Sequence, residues 1–191
     1  MADAYRALDT LYVNSEICVD GEMINIVKDI IGSTKELSVV HTDSGSAFAP
    51  ARDFKSAGNW KDGVSSVIGT IHFNNKEGVL FDDTKDSNTR ELDTQLTNKT
   101  FAKTVLINSP TSLLGHEFIH AFGWKKDAKG YLARREDITD RKNTPYFRNA
   151  EEKRATTLSR QINTNLQENP RNNYMGVGVP TQGVLSNKLK L

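Results

Sequence analysis

Two histidines and a glutamate form the pattern in this chain with the clearest chemical consequence. The segment His116-Glu117-Phe118-Ile119-His120 has the spacing H-E-x-x-H. On a helix, residues four apart lie one above the other on the same face. The two imidazoles could therefore hold one Zn²⁺ ion, and Glu117 could act as a general base towards water in the site. This spacing predicts zinc-dependent hydrolysis of peptide bonds.

The residues around this pattern predict the helix that it needs. Ser109 is suited to the N-cap and Pro110 to the first helical position, and Gly123 lies where a helix is expected to stop. Apolar residues recur at helical intervals at Leu114, Phe118, Ala121 and Phe122. We expect a helix over 109–123, with the histidines and the glutamate beside its apolar face. The alternative is an amphipathic helix that carries two surface histidines.

A zinc site of this kind needs a third protein ligand, because catalytic zinc usually takes three protein ligands and water. One possibility follows Gly123 directly, since H-E-x-x-H-x-x-G opens the metzincin pattern. Its next ligand position is Lys126, whose charged amine cannot bind zinc, and Asp127 is one residue out of register. The second possibility is a glutamate on a second helix, expected over 149–168.

Two adjacent glutamates begin this second helix. Its apolar residues are Ala155, Leu158, Ile162 and Leu166. At about 100° per residue, Glu151 falls within that apolar stripe, whereas Glu152 lies beside it, as the histidines lie beside theirs. Glu152 is therefore the preferred ligand, and Glu151 is the alternative. Both could instead be solvated carboxylates that favour a helix start.

Three short motifs, in this order, resemble a known family of peptidases. They are His116-Glu117-Phe118-Ile119-His120, Glu151-Glu152-Lys153-Arg154 and Arg171-Asn172-Asn173-Tyr174. The patterns H-E-x-x-H, E-E-x-R and R-x-x-Y are similar to those of the clostridial neurotoxin light chains. They resemble still more those of the bacterial effector metallopeptidases of the M91 type. The resemblance covers the last third of the chain.

That resemblance implies a role for each motif residue. Glu152 would be the third zinc ligand of a gluzincin, Glu151 would support the histidines, and Arg154 would brace the carboxylates. Arg171 and Tyr174 would face the cleft and stabilise the negative charge that forms on the scissile carbonyl oxygen. The implied protein is a zinc metalloprotease, a secreted bacterial effector or toxin that cleaves a protein of a target cell.

Two other functions stay open for the same residues. One is a zinc amidase or peptidase that acts on cell-wall peptides in competition between bacteria. The other is a zincin fold without activity that serves as a binding module, which the intact Glu117 argues against. The sequence identifies neither the substrate and its scissile bond nor the oligomeric state and the delivery route. It also leaves open whether the chain is a whole protein or a domain of a larger toxin.

Length and composition limit the remaining possibilities. A chain of 191 residues with a net charge of +1 suits a single domain over 1–191, and no pattern typical of nucleic-acid binding is present. Cys18 is the only cysteine, which excludes an intrachain disulfide and a cysteine-based zinc site. The first residues lack the apolar segment of a signal peptide, and no run reaches membrane-spanning length. The resemblance to the effector family implies delivery by a specialised secretion system, which needs no such signal, and without it we expect a cytoplasmic protein.

The expected fold is α+β and zincin-like, with a small twisted sheet above the HExxH helix and a helical part after Gly123. Residues 1–108 are expected to be mainly strands and loops. The expected elements are a hairpin of 11–19 and 23–27, a strand over 37–41, paired strands over 67–74 and 78–82, and a strand over 101–107. Residues 23–31 could instead form a short helix.

Three stretches are expected to lack regular structure. Residues 43–61 are predicted to form an irregular loop, 83–98 to be turn-like, and the tail beyond Gly176 to be extended. The basic pairs that follow the first helix are predicted to lie in a solvated loop, with a docking surface for an acidic substrate as the alternative. These pairs are Lys125-Lys126, Arg134-Arg135 and Arg141-Lys142.

Overall fold

The computed structural model describes residues 2–51, 66–82, 89–139 and 147–190, and over these residues the protein is mixed α+β. The expected structure of 52–61, of 83–88 and of Arg141-Lys142 lies outside the described residues. The helices are α1 (Ala2–Asn14), α2 (Ile26–Ile31), α3 (Thr89–Asn98), α4 (Pro110–Lys126), α5 (Ala128–Glu136) and α6 (Ala150–Asn165). The strands are β1 (Glu16–Val19), β2 (Glu22–Asn25), β3 (Glu36–His41), β4 (Ala47–Pro50), β5 (Val67–Phe73), β6 (Glu77–Asp82), β7 (Val105–Asn108) and β8 (Val177–Pro180).

The strands form a hairpin and two small sheets instead of the single sheet that was expected. β1 and β2 pair as an antiparallel hairpin. In the first three-stranded sheet β5 lies between the parallel strand β3 and the antiparallel strand β4. In the second, β6 lies between β7 and β8 and is antiparallel to both. Among the described helices, none has the length and apolar character that crossing a bilayer requires.

The strands expected over 67–74 and 78–82 are confirmed, but their pairing with each other was wrong. They are the central strands of two different sheets, because the chain turns a corner between them instead of folding back. At this corner the backbone N–H of Asn74 donates to Ser46 Oγ, and the N–H of Lys76 donates to Asn74 Oδ1. A short polar connection between two apolar strands predicts a hairpin and a corner equally well.

The N-terminal part combines both alternatives that the sequence left open for residues 23–31. The expected hairpin is confirmed, and its turn is formed by Asp20 and Gly21, both at positive φ. β2 ends at Asn25, whose side chain accepts from the N–H of Lys28 and so caps α2. Residues 11–14, expected to be strand, belong to α1, because Leu11 is buried together with Ala7 on one face of that helix.

Helix α3 replaces most of the turn-like segment expected over 83–98. Leu92 is fully buried and Leu96, one helical turn later, is half-buried. Both pack into a small second core beneath β6 and β8. The segment has only these two apolar residues on a polar helix, so its helical period is hard to recognise in the sequence.

Helix α4 lies at the centre of the molecule and is buried on nearly every side from Pro110 to Trp124. It packs against helices and strands from both ends of the chain, namely α1, α2, α5, α6, β4, β5 and β6. The expectation that Gly123 ends the helix was wrong, since α4 continues for three more residues. Gly123 instead leaves space for Arg154, because a Cβ on it would lie 2.8 Å from Arg154 Nη1. The surface-histidine alternative is also wrong, since both histidines are buried.

The start of α4 is fixed by two parts of the chain that lie after it in the sequence. As predicted, Ser109 is the N-cap, and its hydroxyl accepts from the N–H of Ser112. The Glu168 carboxylate accepts from both the N–H and the hydroxyl of Ser109. Within the first turn of the helix, the N–H and the hydroxyl of Thr111 both donate to the carbonyl of Val184. The helix that carries the histidines is thus held at its first turn.

Replacing Ser109 with alanine is expected to lower the free energy of unfolding by about 1–2 kcal/mol. The change removes both the cap and one bond to the Glu168 carboxylate. Urea denaturation measures the loss. Thr157→Ala, at an exposed position on α6, is the control and should change stability by less than about 0.5 kcal/mol. Equal losses in the two variants would contradict the capping role of Ser109.

Candidate metal centre

Three ligand atoms from α4 and α6 converge at one point. His116 Nε2 lies 3.2 Å from His120 Nε2, and Glu152 Oε2 lies 3.4 Å from the first nitrogen and 3.1 Å from the second. Tetrahedral ligands with bonds of about 2.0–2.1 Å to a common centre lie about 3.3–3.4 Å from one another. The three atoms therefore have the mutual spacing of a metal site, and this buried group could hold a metal ion.

Local structure explains why these three side chains meet. His116 and His120 are one turn apart on α4, so their rings point to the same side. Asn149 caps α6 by accepting from the N–H of Glu152, which places Glu152 in the first helical turn. The two helices pack against each other. The Glu152 carboxylate thereby reaches the histidine pair.

Glu151 has different neighbours, as the helical period indicated. Its side chain is 1% exposed, whereas that of Glu152 is 15% exposed. One oxygen of Glu151 lies 3.3 Å from His120 Nδ1 and accepts from Arg154 Nη1 at 2.9 Å. Its other oxygen accepts from Arg134 Nε at 2.6 Å. Glu151 thus contacts the far side of a histidine, and its carboxylate is neutralised by two guanidinium groups.

The partners of the two Nδ1 atoms leave both Nε2 atoms facing the candidate centre. His120 Nδ1 faces Glu151, a carboxylate that can only accept. His116 Nδ1 lies 3.5 Å from the hydroxyl of Ser159, and that hydroxyl donates to the carbonyl of Thr156. The Ser159 oxygen is thus able to accept from His116. With protons on both Nδ1 atoms, the lone pairs of both Nε2 atoms are available to a metal.

The charges of the cluster also favour a cation. Burial lowers the pKa of His116 to about 4. Burial opposes the charged form of His120 as well, but hydrogen bonds to Glu151 and Glu152 outweigh it and raise the pKa of His120 to about 10. The hydrogen bonds from both histidines hold the pKa of Glu152 well below its ordinary value despite burial. Without a metal, His120 is therefore an imidazolium with protons on both ring nitrogens, and a metal ion bound through Nε2 would have to displace the proton on that nitrogen.

Glu117 lies beside the three ligand atoms and is held by the edge of the first sheet. The backbone N–H of Phe48 in β4 donates to Glu117 Oε2 at 2.7 Å. Phe48 N–H points away from β5, so the free edge of β4 faces the candidate centre. Burial raises the pKa of Glu117 to about 7, although the charge of His120 acts in the opposite direction. A carboxyl group in this setting is suited to exchanging protons near neutral pH.

Tyr174 and Arg171 both lie at this centre, but in different positions. The Tyr174 ring centroid is 6.0 Å from that of His116. Burial, together with the charges of Glu152 and Glu117, raises the pKa of Tyr174 to about 12, so its hydroxyl keeps its proton at neutral pH. Arg171 is buried and donates through Nη2 to the backbone carbonyl of Tyr174.

Arg171 remains a cation in this buried position. Its guanidinium carbon lies 5.4 Å from the ring centroid of Phe81. Burial lowers the pKa of Arg171 to about 10, which is still well above neutrality. The side chain therefore holds the backbone of Tyr174 and contributes a positive charge on the side of the centre where Tyr174 lies.

The metzincin alternative is wrong, because α4 continues through the position where that pattern requires a turn. Lys126 is still helical, and its amine lies 3.9 Å from Asp29. Asp127 caps α5 by accepting from the N–H of Gly130. The remaining histidines, His41 and His72, are exposed residues of the first sheet.

Four residues at the centre were not recognised in the sequence. Ser159 contacts His116, and Phe48 contacts Glu117. Arg134 contacts Glu151. Tyr131 is buried, with its ring centroid 6.1 Å from that of His120 in an edge-on arrangement. The placement of Arg134 in a solvated loop was wrong, because it lies on α5 with its guanidinium against Glu151. Its spacing of three from Tyr131 was the available signal, since both fall on one face of a helix.

No protein-family model, curated protein or solved structure matches this chain. The resemblance to the M91-type effectors therefore rests on the motif residues themselves.

Proposed function

We propose that this protein is a zinc-dependent endopeptidase. The observation that carries the proposal is the tetrahedral spacing of two imidazole nitrogens and a carboxylate oxygen beside the buried carboxyl group of Glu117. Two histidines and one glutamate are a ligand set typical of catalytic zinc, and three protein ligands leave a fourth position open. The fold that corresponds to this arrangement is a gluzincin of the zincin type.

The residues of the chain divide the chemistry among them. His116, His120 and Glu152 would hold the zinc ion, which would supply a Lewis acid and lower the pKa of water in the site. Glu117 accepts the proton of the attacking water and later gives it to the leaving amine. The N–H of Phe48 keeps the Glu117 carboxylate in one orientation during both transfers.

Tyr174 and Arg171 stabilise the charge that develops on the substrate. The protonated hydroxyl of Tyr174 is a hydrogen-bond donor for the carbonyl oxygen as it becomes negative. Arg171 acts through Tyr174, because it holds the backbone carbonyl of that residue. Arg171 is thereby a positioning residue whose charge adds to the stabilisation.

The biological setting that we propose follows from the motif resemblance. A zinc peptidase with E-E-x-R and R-x-x-Y motifs suits a bacterial effector or toxin that acts on a protein of a target cell and is delivered by a specialised secretion system. This proposal must be tested against two alternatives. One is action on cell-wall peptides, and the other is a role as an inactive binding module.

Zinc content and peptidase activity of the purified protein test this function. We expect one zinc per chain by elemental mass spectrometry, and zinc-dependent cleavage of a denatured generic protein that a chelator stops and added zinc restores. Cleavage of cell-wall peptides alone would favour the amidase. Zinc without hydrolysis of either substrate would favour the binding module, and absence of zinc after reconstitution would overturn the proposal.

Tyr174→Phe is expected to lower turnover about 10²- to 10³-fold and to leave the zinc content unchanged. The change removes the hydroxyl that we propose as a donor to the substrate carbonyl and keeps the ring, whose centroid lies 6.0 Å from that of His116. Turnover and zinc content are measured on the same preparation. Tyr12→Phe, on the exposed part of α1, is the matched control and should behave as wild type. Unchanged turnover in Tyr174→Phe would show that the Tyr174 hydroxyl has no part in catalysis and that the ring serves only in packing.

A further inference from the structure

The buried carboxylate of Glu151 is held by cations from two different helices. Arg154 is on α6 itself, three residues after Glu151, and binds the oxygen that also faces His120. Arg134 comes from α5 and binds the other oxygen at 2.6 Å. Because each oxygen has a different partner, the carboxylate cannot rotate without breaking a charged hydrogen bond.

One face of helix α5 carries two side chains that support His120, one directly and one through Glu151. Tyr131 and Arg134 are three residues apart and therefore lie on the same side of the helix. The Tyr131 ring meets the His120 ring edge-on, and Arg134 reaches it through Glu151. Arg134 Nη1 also lies 3.8 Å from Asp127, the residue that caps the start of α5. The guanidinium is thus tied to its own helix and to Glu151.

We propose that Arg134 is a positioning residue of the metal centre. It fixes the Glu151 carboxylate, which fixes the His120 ring so that Nε2 points towards the metal. The proposal rests on the proposed function in one respect, namely that the group held by His116, His120 and Glu152 is a metal ion. It adds a residue outside the three motifs, on a helix that supplies no ligand.

Arg134 is distinguished from Arg154 by the helix that carries it. Arg154 is on the same helix as Glu151, and its guanidinium lies against Gly123 of α4. Arg134 joins α5 to α6, so it fixes the position of the carboxylate relative to a helix that carries neither Glu151 nor a histidine of the centre. Among the described residues, the partner of His116 Nδ1 is the Ser159 hydroxyl at 3.5 Å, a neutral group in place of the charged carboxylate that faces His120. Loss of Arg134 should therefore disturb His120 and spare His116.

The zinc affinity of Arg134 variants tests this role. Competition with a chelator of known affinity is measured for wild type, Arg134→Gln and Arg134→Lys, with thermal unfolding of each metal-free protein alongside. We expect Arg134→Gln to bind zinc about 10- to 100-fold more weakly, as is typical when the support of a metal ligand is lost. Arg134→Lys should recover part of the affinity, because it keeps the charge without the planar fork. Arg135→Gln, an exposed neighbour, should bind as wild type does.

A double-mutant cycle shows whether Arg134 acts through Glu151. In the Glu151→Gln background, Arg134→Gln should cost little further affinity, because the group through which it acts is altered. An equal loss in both backgrounds, or wild-type affinity in a folded Arg134→Gln variant, would overturn the proposal. If Arg134→Gln does not fold, Arg134→Lys takes its place, and an affinity equal to that of wild type would then overturn it.

Nuclear magnetic resonance of metal-free protein with isotope-labelled histidine gives a reading that does not depend on zinc. We expect Arg134→Gln to shift the ring nitrogens of His120 and to leave those of His116 in place. Unchanged His120 signals would refute the role of Arg134. If wild type takes up no zinc, the proposed function fails, whereas these signals still decide whether Arg134 positions His120.

Discussion

Replacing Glu117 with glutamine is expected to lower the peptidase rate about 10²- to 10⁴-fold while zinc stays bound. The amide is nearly the same size as the carboxylate, and its oxygen can still accept from the N–H of Phe48. It cannot accept a proton from water or deliver one to the leaving amine. Glu117 is also outside the group of three ligand atoms, so the metal should be unaffected.

This experiment compares rate and zinc content in the same sample. Cleavage of a denatured generic protein gives the rate, and elemental mass spectrometry gives the zinc. Glu136→Gln, an exposed glutamate at the end of α5, is the matched control and should keep the full rate. A Glu117→Gln variant with full activity would remove the general base from the mechanism. Loss of zinc together with rate would show that Glu117 helps to hold the metal.

The second large effect is expected from Glu152→Gln, which should abolish stoichiometric zinc binding. The change takes away one of three ligand atoms and the negative charge that balances the cation. Glu151→Gln should instead weaken zinc binding only about 10- to 100-fold, because that carboxylate supports His120 and does not face the metal. The two neighbouring glutamates thus serve as controls for each other.

Dialysis against a range of free zinc concentrations, followed by elemental mass spectrometry, separates the two variants. Glu151→Gln should reach one zinc per chain at the higher concentrations, and Glu152→Gln should not. The opposite result would exchange the roles of the two residues. Retention of zinc in both would exclude this carboxylate pair as the source of the third ligand.

The parts of the centre that depend on neighbouring residues could be predicted from the sequence. Ser109 and Pro110 fix the start of α4, and the spacing of four then fixes the relative directions of His116 and His120. The apolar period of α6 also predicted that Glu151 would be buried and Glu152 would lie beside the core. These outcomes depend on helix geometry alone, which is the same in any protein.

The parts that depend on contacts across the fold could not be predicted in this way. Glu117 is held by a backbone N–H 69 residues away, and any strand could supply such a group. Arg134 has the composition of a surface residue, and only the docking of α5 against α6 brings it to Glu151. Gly123 was likewise expected to end the helix, because local sequence gives no sign that the side chain of Arg154, distant in the sequence, packs against it.

The hydrogen bonds from Thr111 to Val184 also have a consequence for the order in which the chain is synthesised. The chain emerges from the ribosome with His116 and His120 first and Glu152 later. The Val184 carbonyl, which accepts both hydrogen bonds from Thr111, is synthesised 73 residues later than Thr111. A nascent chain can therefore contain every ligand of the candidate centre while the first turn of their helix still lacks this anchor.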